Sequence, residues 1–553
     1  MDRRKFIGSG ISLGAFAMSA LTGGKFARAL AEDAKPAPGA TVATTYGKVR
    51  GTTQEGVHAF KGVPYAASTG GANRFMAPKK RAAWTGVRDC FELGLRAPQL
   101  SSSFHGQVPP EFEVMDRNEP MGEDCLMLNI WTPGVGAGHR RPVMVWLHGG
   151  GYTSGSGGFI CYDGTNLAKR HDVVSISLNH RLTCLGYLYL AGMGGERFAD
   201  SGNLGNLDIA AALEWVRDNI AAFGGNPGNV TIYGQSGGGG KVSCLMAMPA
   251  AKGLFHRAIV ESGAAVKGMS RDAANKSAEM YLAKLNLKPD QVGQLLTMST
   301  DQLLDATQGA AAVPGMPGIV FGPVVDGRGL PSDPFDPVAP EMSANVPLLI
   351  GTVETEVTFF PGQILDPIDD ANFHTRVKQM LRGANDEQVD KVIAAYRAGR
   401  PGAANTDLYL AMASDATFRA GVLTEADRKA EQGKAAVYQY YFTWKSPVRE
   451  GKLRSFHTIE IPLVFDNAAL CKSMIGSGAD AQRLAEQMSA AWVAFARSGN
   501  PNTKLAPHWD TFDTTKRAVM VINDGWKMVN DPHGEEQRVL HSAQAQAMQS
   551  RGA

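Results

Sequence analysis

The sequence is poor in cysteine. Its 553 residues include six, namely Cys90, Cys125, Cys161, Cys184, Cys244 and Cys471. No pair is spaced as CxxC and no zinc-binding spacing is present, so we expect no metal site of that kind. Six cysteines in so long a chain also do not make a disulfide scaffold. Cys184 and Cys244 lie among apolar residues, and we expect both to be buried packing thiols.

The chain also lacks a surplus of charge of either sign. Its 55 lysines and arginines nearly balance its 53 acidic residues, for a formal net charge of +2. No lysine or arginine cluster suggests a nucleic-acid partner. After residue 31 no run of 18 uninterrupted apolar residues occurs, so we expect no membrane span in the mature chain. Because there is neither an internal repeat nor a Pro/Ser-rich linker, we predict one domain over residues 32–553.

The N-terminal segment has its own pattern. Arg3 and Arg4 precede a modest apolar stretch rich in glycine, alanine and serine, and "ALA" at 29–31 offers a small-x-small cleavage site. This pattern resembles a twin-arginine export signal. We therefore expect residues 1–31 to engage the twin-arginine export machinery, with cleavage near Ala31 and a periplasmic or extracellular enzyme. An uncleaved N-terminal membrane anchor is the alternative.

Short apolar runs alternate with helical patterns along the chain. Runs that are apolar on both faces are typical of parallel strands covered by helices. Residues 206–225 lie between two such runs and repeat apolar residues at helical spacing, which completes a strand–helix–strand unit. Helical patterns at 265–320 and 363–430 predict insertions that cap the sheet, and 313–323 is predicted to be a loop. The predicted strands cover residues 143–147, 173–178, 230–234, 258–263, 347–352 and 436–442.

The stretch "TIYGQSGGGGKV" (231–242) contains a G-x-S-x-G pattern around Ser236. A chance match is plausible in a chain with 64 glycines, and "GISLG" at 10–14 is such a match. Context favours a catalytic elbow, because Ser236 follows a predicted strand and precedes a predicted helix. The alternative is a flexible glycine loop. A serine nucleophile also needs a base, an orienting carboxylate and donors for the oxyanion.

A second glycine stretch, "HGGGY" at 148–152, follows the predicted strand 143–147. Glycines there let backbone N–H groups turn toward a bound oxygen, as in the oxyanion loop upstream of such elbows. We predict that the N–H groups of Gly150, Gly151 and Gly237 form the oxyanion hole. We assign His148 a structural role, because it belongs to this loop and precedes the serine.

Taken together, these motifs resemble the type-B carboxylesterases, the cholinesterase-like branch of the α/β-hydrolases. The resemblance extends from about residue 40 to about 525. It implies an α/β-hydrolase fold: a large, mostly parallel twisted sheet with helices on both faces and helical insertions over the active site. The matching stretches, in chain order, are "FKGVPYA" (60–66), "MGEDCLMLNIW" (121–131), "HGGGY" (148–152), "FGGNPGNVTIYGQSGGG" (223–239), "GLFHRAIVESG" (253–263) and "GPVVDG" (322–327).

The resemblance also implies the remaining triad members. The family's acid precedes an aromatic pair, which selects Glu356 in "GTVETEVTFF" (351–360), with Glu354 as a solvated alternative. The family's histidine opens a segment that matches "HTIEIPLVF" (457–465), which selects His457 from twelve histidines. By the same match, Ser262 lies behind the glutamate–histidine pair as a donor, or is a simple strand-end serine.

The sequence departs from the family in three places. Gln235 replaces the glutamate that often precedes the nucleophile, and Met115 is nearest to the position of a cation-binding tryptophan. A choline ester is therefore not expected. Cys125 matches a family disulfide cysteine, but Ala97 occupies its usual partner position. Cys90 could substitute only if the loop bends differently.

The predicted function is hydrolysis of a small-molecule carboxylic ester through an acyl-enzyme, without a metal or organic cofactor. Amide, thioester or lactone hydrolysis would use the same triad, and a non-catalytic binding protein on this fold is a further alternative. Five aromatic residues are candidates for an apolar gorge. The acyl and alcohol groups and the oligomeric state stay open. The aromatic candidates are Tyr152, Phe159, Phe321, Phe359 and Phe360.

Overall fold

A computed structural model describes residues 37–100, 108–116, 119–310, 318–363 and 365–552, with side chains described as far as residue 547. The predicted export signal, its cleavage site and residues 313–317 of the predicted loop lie outside these ranges. The strands of the described chain are β1 (Ala37–Ala43), β2 (Lys48–Gln54), β3 (Val57–Pro64), β4 (Val87–Asp89), β5 (Met127–Thr132), β6 (Arg141–Leu147), β7 (Val174–Leu178), β8 (Gly225–Gln235), β9 (Arg257–Glu261), β10 (Leu348–Val353), β11 (Val437–Phe442), β12 (Ala518–Ile522) and β13 (Lys527–Asn530).

These strands form one large mixed sheet. Its order is β1-β2-β3-β5-β7-β6-β8-β9-β10-β11-β12-β13, and β4 pairs with β2. The central strands from β7 to β12 in this order pair in parallel. Antiparallel pairs join β2 to β3, β3 to β5, β5 to β7 and β12 to β13. The predicted mostly parallel sheet is confirmed in its centre, whereas both sides of that centre contain antiparallel pairs; β4 pairs with β2 in parallel.

Helices cover both faces of this sheet. In β6, alternate side chains enter two different cores: Val143, Val145 and Leu147 pack on one face, and Met144 and Trp146 on the other. Alternation with a period of two follows from strand geometry. The α-helices of the described residues are α1 (Thr165–His171), α2 (Thr183–Tyr187), α3 (Ala191–Gly194), α4 (Leu204–Asn219), α5 (Gly237–Met246), α6 (Arg271–Lys284), α7 (Thr300–Asp305), α8 (Asp370–Met380), α9 (Asp386–Gly399), α10 (Asn405–Ser414), α11 (Ala420–Gln432), α12 (Ile461–Val464), α13 (Lys472–Ile475), α14 (Ala479–Ser498) and α15 (Gly534–Gly552).

The predicted insertions form small cores of their own. Tyr281 of α6 and Leu303 of α7 belong to one apolar cluster, and Phe373 of α8 and Val389 of α9 belong to another. Helix α11, at the end of the second insertion, instead joins the core of the sheet through Val422. A π-helical turn at Asp415–Arg419 joins α10 to α11.

Each of the six predicted strands falls within or overlaps an observed parallel strand, and α4 lies within the predicted helical stretch apart from its first two residues. All six cysteines are buried free thiols, so Cys125 forms no disulfide with Cys90. Among the described residues, no helix combines the length and apolarity needed to cross a bilayer.

Candidate active site

Ser236 lies at a strained turn between β8 and α5. Its backbone has φ 58° and ψ −126°, a conformation that side-chain-bearing residues rarely adopt. The turn is fixed by two hydrogen bonds: Ser236 N–H donates to the Glu261 carbonyl at 2.8 Å, and Gly240 N–H donates to the Ser236 carbonyl at 3.0 Å. A serine on such a strand-turn-helix elbow is exposed at the carboxyl edge of a sheet.

Close backbone packing explains the glycines around this turn. A Cβ atom on Gly238 would collide with the Leu147 carbonyl, and one on Gly263 would collide with the Ser236 carbonyl. At Gly237 it would collide with Gly151. The glycines thus let the elbow, β9 and the loop after β6 approach one another, which a flexible loop would not require.

His457 and Glu356 form a buried pair below the turn. The ring Nδ1 lies 2.5 Å from Glu356 Oε2, and their side chains are 2% and 1% exposed. Glu356 Oε1 accepts the backbone N–H of Val353 at 3.0 Å. Because an ionised carboxylate only accepts hydrogen bonds, the pair holds the proton on Nδ1 and leaves Nε2 as the acceptor.

Glu354 has a different environment. Its Oε1 accepts from Arg400 at 2.7 Å, and Arg400 also donates to Glu536. The side chain is therefore held in a half-buried ion pair rather than in solvent, and it points to the insertion instead of the histidine. The structure brings Glu356, and not Glu354, to His457.

The amide of Gln235, the residue before the serine, contacts the histidine ring. Its Nε2 is 3.2 Å from Nδ1 and 3.3 Å from Nε2 of His457. The ring carbon Cε1 of His457 lies between its two nitrogens. If Gln235 Nε2 lay in the plane of the ring at these distances, it would collide with Cε1. The amide therefore lies over a face of the ring. The described residues show no hydrogen bond between Ser236 Oγ and His457; such bonds commonly tighten only when substrate binds.

Ser262 lies behind this pair, with a partner that the sequence did not reveal. Its hydroxyl donates to Glu460 Oε1 at 3.3 Å. Burial, together with the carboxylates of Glu356 and Glu261, raises the pKa of Glu460 well above its usual range. Burial also raises the pKa of Glu261 to about 8. Both shifts favour the neutral carboxylic acids, and a neutral acid adds no negative charge beside Glu356.

The loop after β6 presents the predicted oxyanion donors. Gly150 and Gly151 have φ 84° and 59°. The Gly149 carbonyl accepts from the His148 ring at 2.8 Å, and the Gly150 carbonyl accepts from Ser154 N–H at 3.0 Å. In a trans peptide the C=O and the next N–H point in opposite directions. The N–H groups of Gly150 and Gly151 therefore point away from the partners of the Gly149 and Gly150 carbonyls. Neither N–H group has a hydrogen-bond partner among the described residues.

His148 does not approach the serine as a base. It is buried, stacks on His180 at 4.6 Å between ring centres, and binds the adjacent carbonyl. Burial and the nearby Lys241 lower the pKa of His148 to about 3. The ring is neutral at working pH and supports the loop, in agreement with its predicted structural role.

A cavity of about 490 Å³ joins these parts. Its wall includes Ser236, Gly237, Gly150, Gly151 and His457. The volume is that of a small-molecule site, and the carboxyl edge of a parallel sheet is where such sites form.

Four of the five predicted gorge aromatics line this cavity: Tyr152, Phe159, Phe359 and Phe360. Phe321 does not, because it is fully buried against Tyr281 in the insertion core. The sequence interpretation missed Phe418, which the π-helical turn brings to 4.7 Å from the His457 ring. It also missed Glu460 and Lys241. Two sequence features could have indicated them: Glu460 is a glutamate inside the apolar stretch 459–465, and Lys241 is the single charged residue in the apolar helix α5.

The chain matches the model of the carboxylesterase family over residues 38–540. It is 35% identical to the para-nitrobenzyl esterase of Bacillus subtilis over 90% of this chain and 98% of that protein. A carboxylesterase structure from Geobacillus stearothermophilus matches with a TM-score of 0.76 and 34% identity, over 90% of this chain and 99% of that one.

A third similar structure is an esterase from Clostridium hathewayi, described as able to hydrolyse aliphatic aromatic polyesters. It matches with a TM-score of 0.76 and 30% identity, over 91% of this chain and 98% of that chain. These similarities establish the fold and the class of chemistry expected at the cavity.

Proposed function

Since the chain belongs to the carboxylesterase family of carboxylic-ester hydrolases, we propose that Ser236, Glu356 and His457 are its catalytic triad. The observation that carries this proposal is the buried 2.5 Å contact between His457 Nδ1 and Glu356 Oε2 beside a serine at φ 58°. That contact orients the imidazole and stabilises its cation, which is the task of the acid in a triad.

In the proposed reaction, His457 accepts the proton of Ser236 as Oγ attacks the ester carbonyl. The N–H groups of Gly150, Gly151 and Gly237 stabilise the tetrahedral oxyanion. His457 then protonates the departing alkoxide, which leaves an acyl-serine. Water that His457 activates releases the acid and restores Ser236.

We propose apolar esters with an aromatic group as the substrate class. Phe159, Phe359, Phe360 and Phe418 line the cavity. Met115, which also lines it, is the residue nearest to the position of the family's cation-binding tryptophan. The names of the similar proteins, a para-nitrobenzyl esterase and an esterase acting on aliphatic aromatic polyesters, point the same way. We also propose that residues 1–31 direct export of the folded enzyme through the twin-arginine machinery.

Ser236→Ala tests the nucleophile. It should lower kcat for a p-nitrophenyl ester about 10⁴-fold or more without unfolding the chain. A fluorophosphonate should label Ser236 alone. Ser262→Ala is the matched control for labelling, because Ser262 lines the same cavity and also has positive φ, and the fluorophosphonate should still label Ser236 in this variant. Labelling at another serine, with activity intact in Ser236→Ala, would overturn the mechanism.

A further inference from the structure

Lys241 is a buried lysine directly beneath the oxyanion loop. It lies in the second turn of α5, and its side chain is fully buried. Nζ donates to the Gly151 carbonyl at 2.7 Å and to the His148 carbonyl at 3.2 Å. It also lies 5.3 Å from the centre of the Tyr152 ring.

Within the part of the chain that the structure describes, the hydrogen bonds of Lys241 go to backbone carbonyls and not to a carboxylate. The ionisable groups that face it are His148, His180, Cys244 and Tyr152. Burial lowers its pKa to about 7. An apolar side chain of the same length would fill this space without the penalty of a buried ammonium. Packing alone therefore does not account for a lysine here.

The contacts of Lys241 bracket the predicted oxyanion donors. The carbonyls of His148 and Gly151 are the first and last of the four consecutive carbonyls from His148 to Gly151. The two peptides between them carry the N–H groups of Gly150 and Gly151. Because both ends of this four-peptide segment are anchored to one Nζ atom, rotation of the two inner peptides about φ and ψ is restricted.

We propose that Lys241 is a positioning residue for ester hydrolysis, which clamps both ends of the oxyanion loop and holds the Gly150 and Gly151 N–H groups toward the Ser236 adduct. Both hydrogen bonds need only N–H donors, which Nζ supplies as an ammonium or as a neutral amine, so the clamp does not depend on the charge of a group whose pKa is about 7. This inference rests on the proposed triad mechanism and adds to it a residue that positions the oxyanion donors.

The test compares Lys241→Met with Lys241→Gln, whose side chain is one atom shorter than lysine but retains an N–H donor. Lys241→Met should lower kcat about 100-fold, the effect of a lost oxyanion donor, with little change in KM. Lys241→Gln should recover part of this loss. Inhibition by a trifluoromethyl ketone, whose adduct carries an oxyanion, should weaken by the same factor as kcat/KM.

Lys429→Met is the matched control. Lys429 is another buried lysine that donates to two carbonyls, those of Ser343 and Ala344 at 2.8 Å each, away from the loop. Its loss should lower the melting temperature and leave kcat unchanged. Equal losses of kcat in both Met variants would overturn the inference, as would a folded Lys241→Met variant with normal kcat and normal ketone affinity.

A crystal structure of the wild-type enzyme with Ser236 phosphonylated does not depend on how the variants fold. Nζ of Lys241 should still bind both carbonyls, and an ammonium turned away from the loop would refute the inference. If Ser236→Ala retains activity, the proposed mechanism fails. If that variant is inactive while the Lys241 variants behave as wild type, only the role of Lys241 fails.

Discussion

Glu356→Gln should nearly abolish turnover. In the wild type, Oε1 accepts from Val353 N–H at 3.0 Å and Oε2 faces the Nδ1 proton of His457 at 2.5 Å. A glutamine has one oxygen and one NH₂ group for these two donors. If NH₂ faces Val353, two donors meet in a buried site, at a cost of about 1–3 kcal/mol. If NH₂ faces His457, the ring must carry its proton on Nε2 and cannot accept one from Ser236.

Either orientation also removes the negative charge that stabilises the imidazolium. A triad carboxylate replaced by an amide typically loses about 10⁴ in kcat, or about 5 kcal/mol of transition-state stabilisation. Initial rates on a p-nitrophenyl ester, with active sites counted by fluorophosphonate, give kcat directly. Near-ultraviolet circular dichroism checks that the variant is folded.

Glu354→Gln is the matched control two residues away. The substitution removes the negative charge of Glu354 and so weakens its interaction with Arg400, while Arg400 still donates to Glu536 at 3.0 Å. We expect a loss of about 1 kcal/mol in the free energy of unfolding, with kcat within about threefold of wild type. If Glu354→Gln were the inactive variant and Glu356→Gln the active one, the assignment of the acid would be wrong.

Three further predictions concern packing, pH and export. Gly263→Ala should lower kcat about 100-fold, because its Cβ would displace the Ser236 carbonyl, whereas Gly293→Ala, with open space around its Cβ, should not. Burial raises the pKa of Glu261 from 4.5 to about 8, so the folded chain holds a proton that the unfolded chain releases, and stability falls as pH rises through this window. Thermal scans should therefore show a smaller decline for Glu261→Gln between pH 5 and 8; an unchanged decline would refute this. Replacing Arg3–Arg4 with lysines should retain active precursor inside the cell, and normal export of that variant would contradict the proposed signal.

The sequence located the parts of the site that follow strands. Ser236 follows β8, Ser262 follows β9 and Glu356 follows β10 by three residues. Since parallel strands end at the same edge of a sheet, motifs placed after them converge without knowledge of side-chain geometry. His457 is different, because it lies well beyond the end of β11 and no strand position marks it. Its prediction, like those of Glu356 and Ser262, depends on the family resemblance.

Other features depend on contacts that no local pattern encodes. Ser262 donates to Glu460, a pairing across 198 residues. Phe418 reaches the histidine because a π-helical turn changes the direction of its side chain, and such turns have no clear sequence signature. The antiparallel edge strands were missed as well, since the short strands at 37–64 are only partly buried and lack a strong apolar run.

We expect the proposed triad to assemble late in folding. The contact between His457 and Glu356 spans 101 residues, and the contact between Gln235 and His457 spans 222. Contacts of such long range form only after much of the chain entropy has been lost, so they follow the local structure that flanks them. Esterase activity recovered after dilution from denaturant should therefore lag behind the return of helical circular dichroism. The time course of recovered esterase activity would therefore report when the long-range contacts across the sheet have formed.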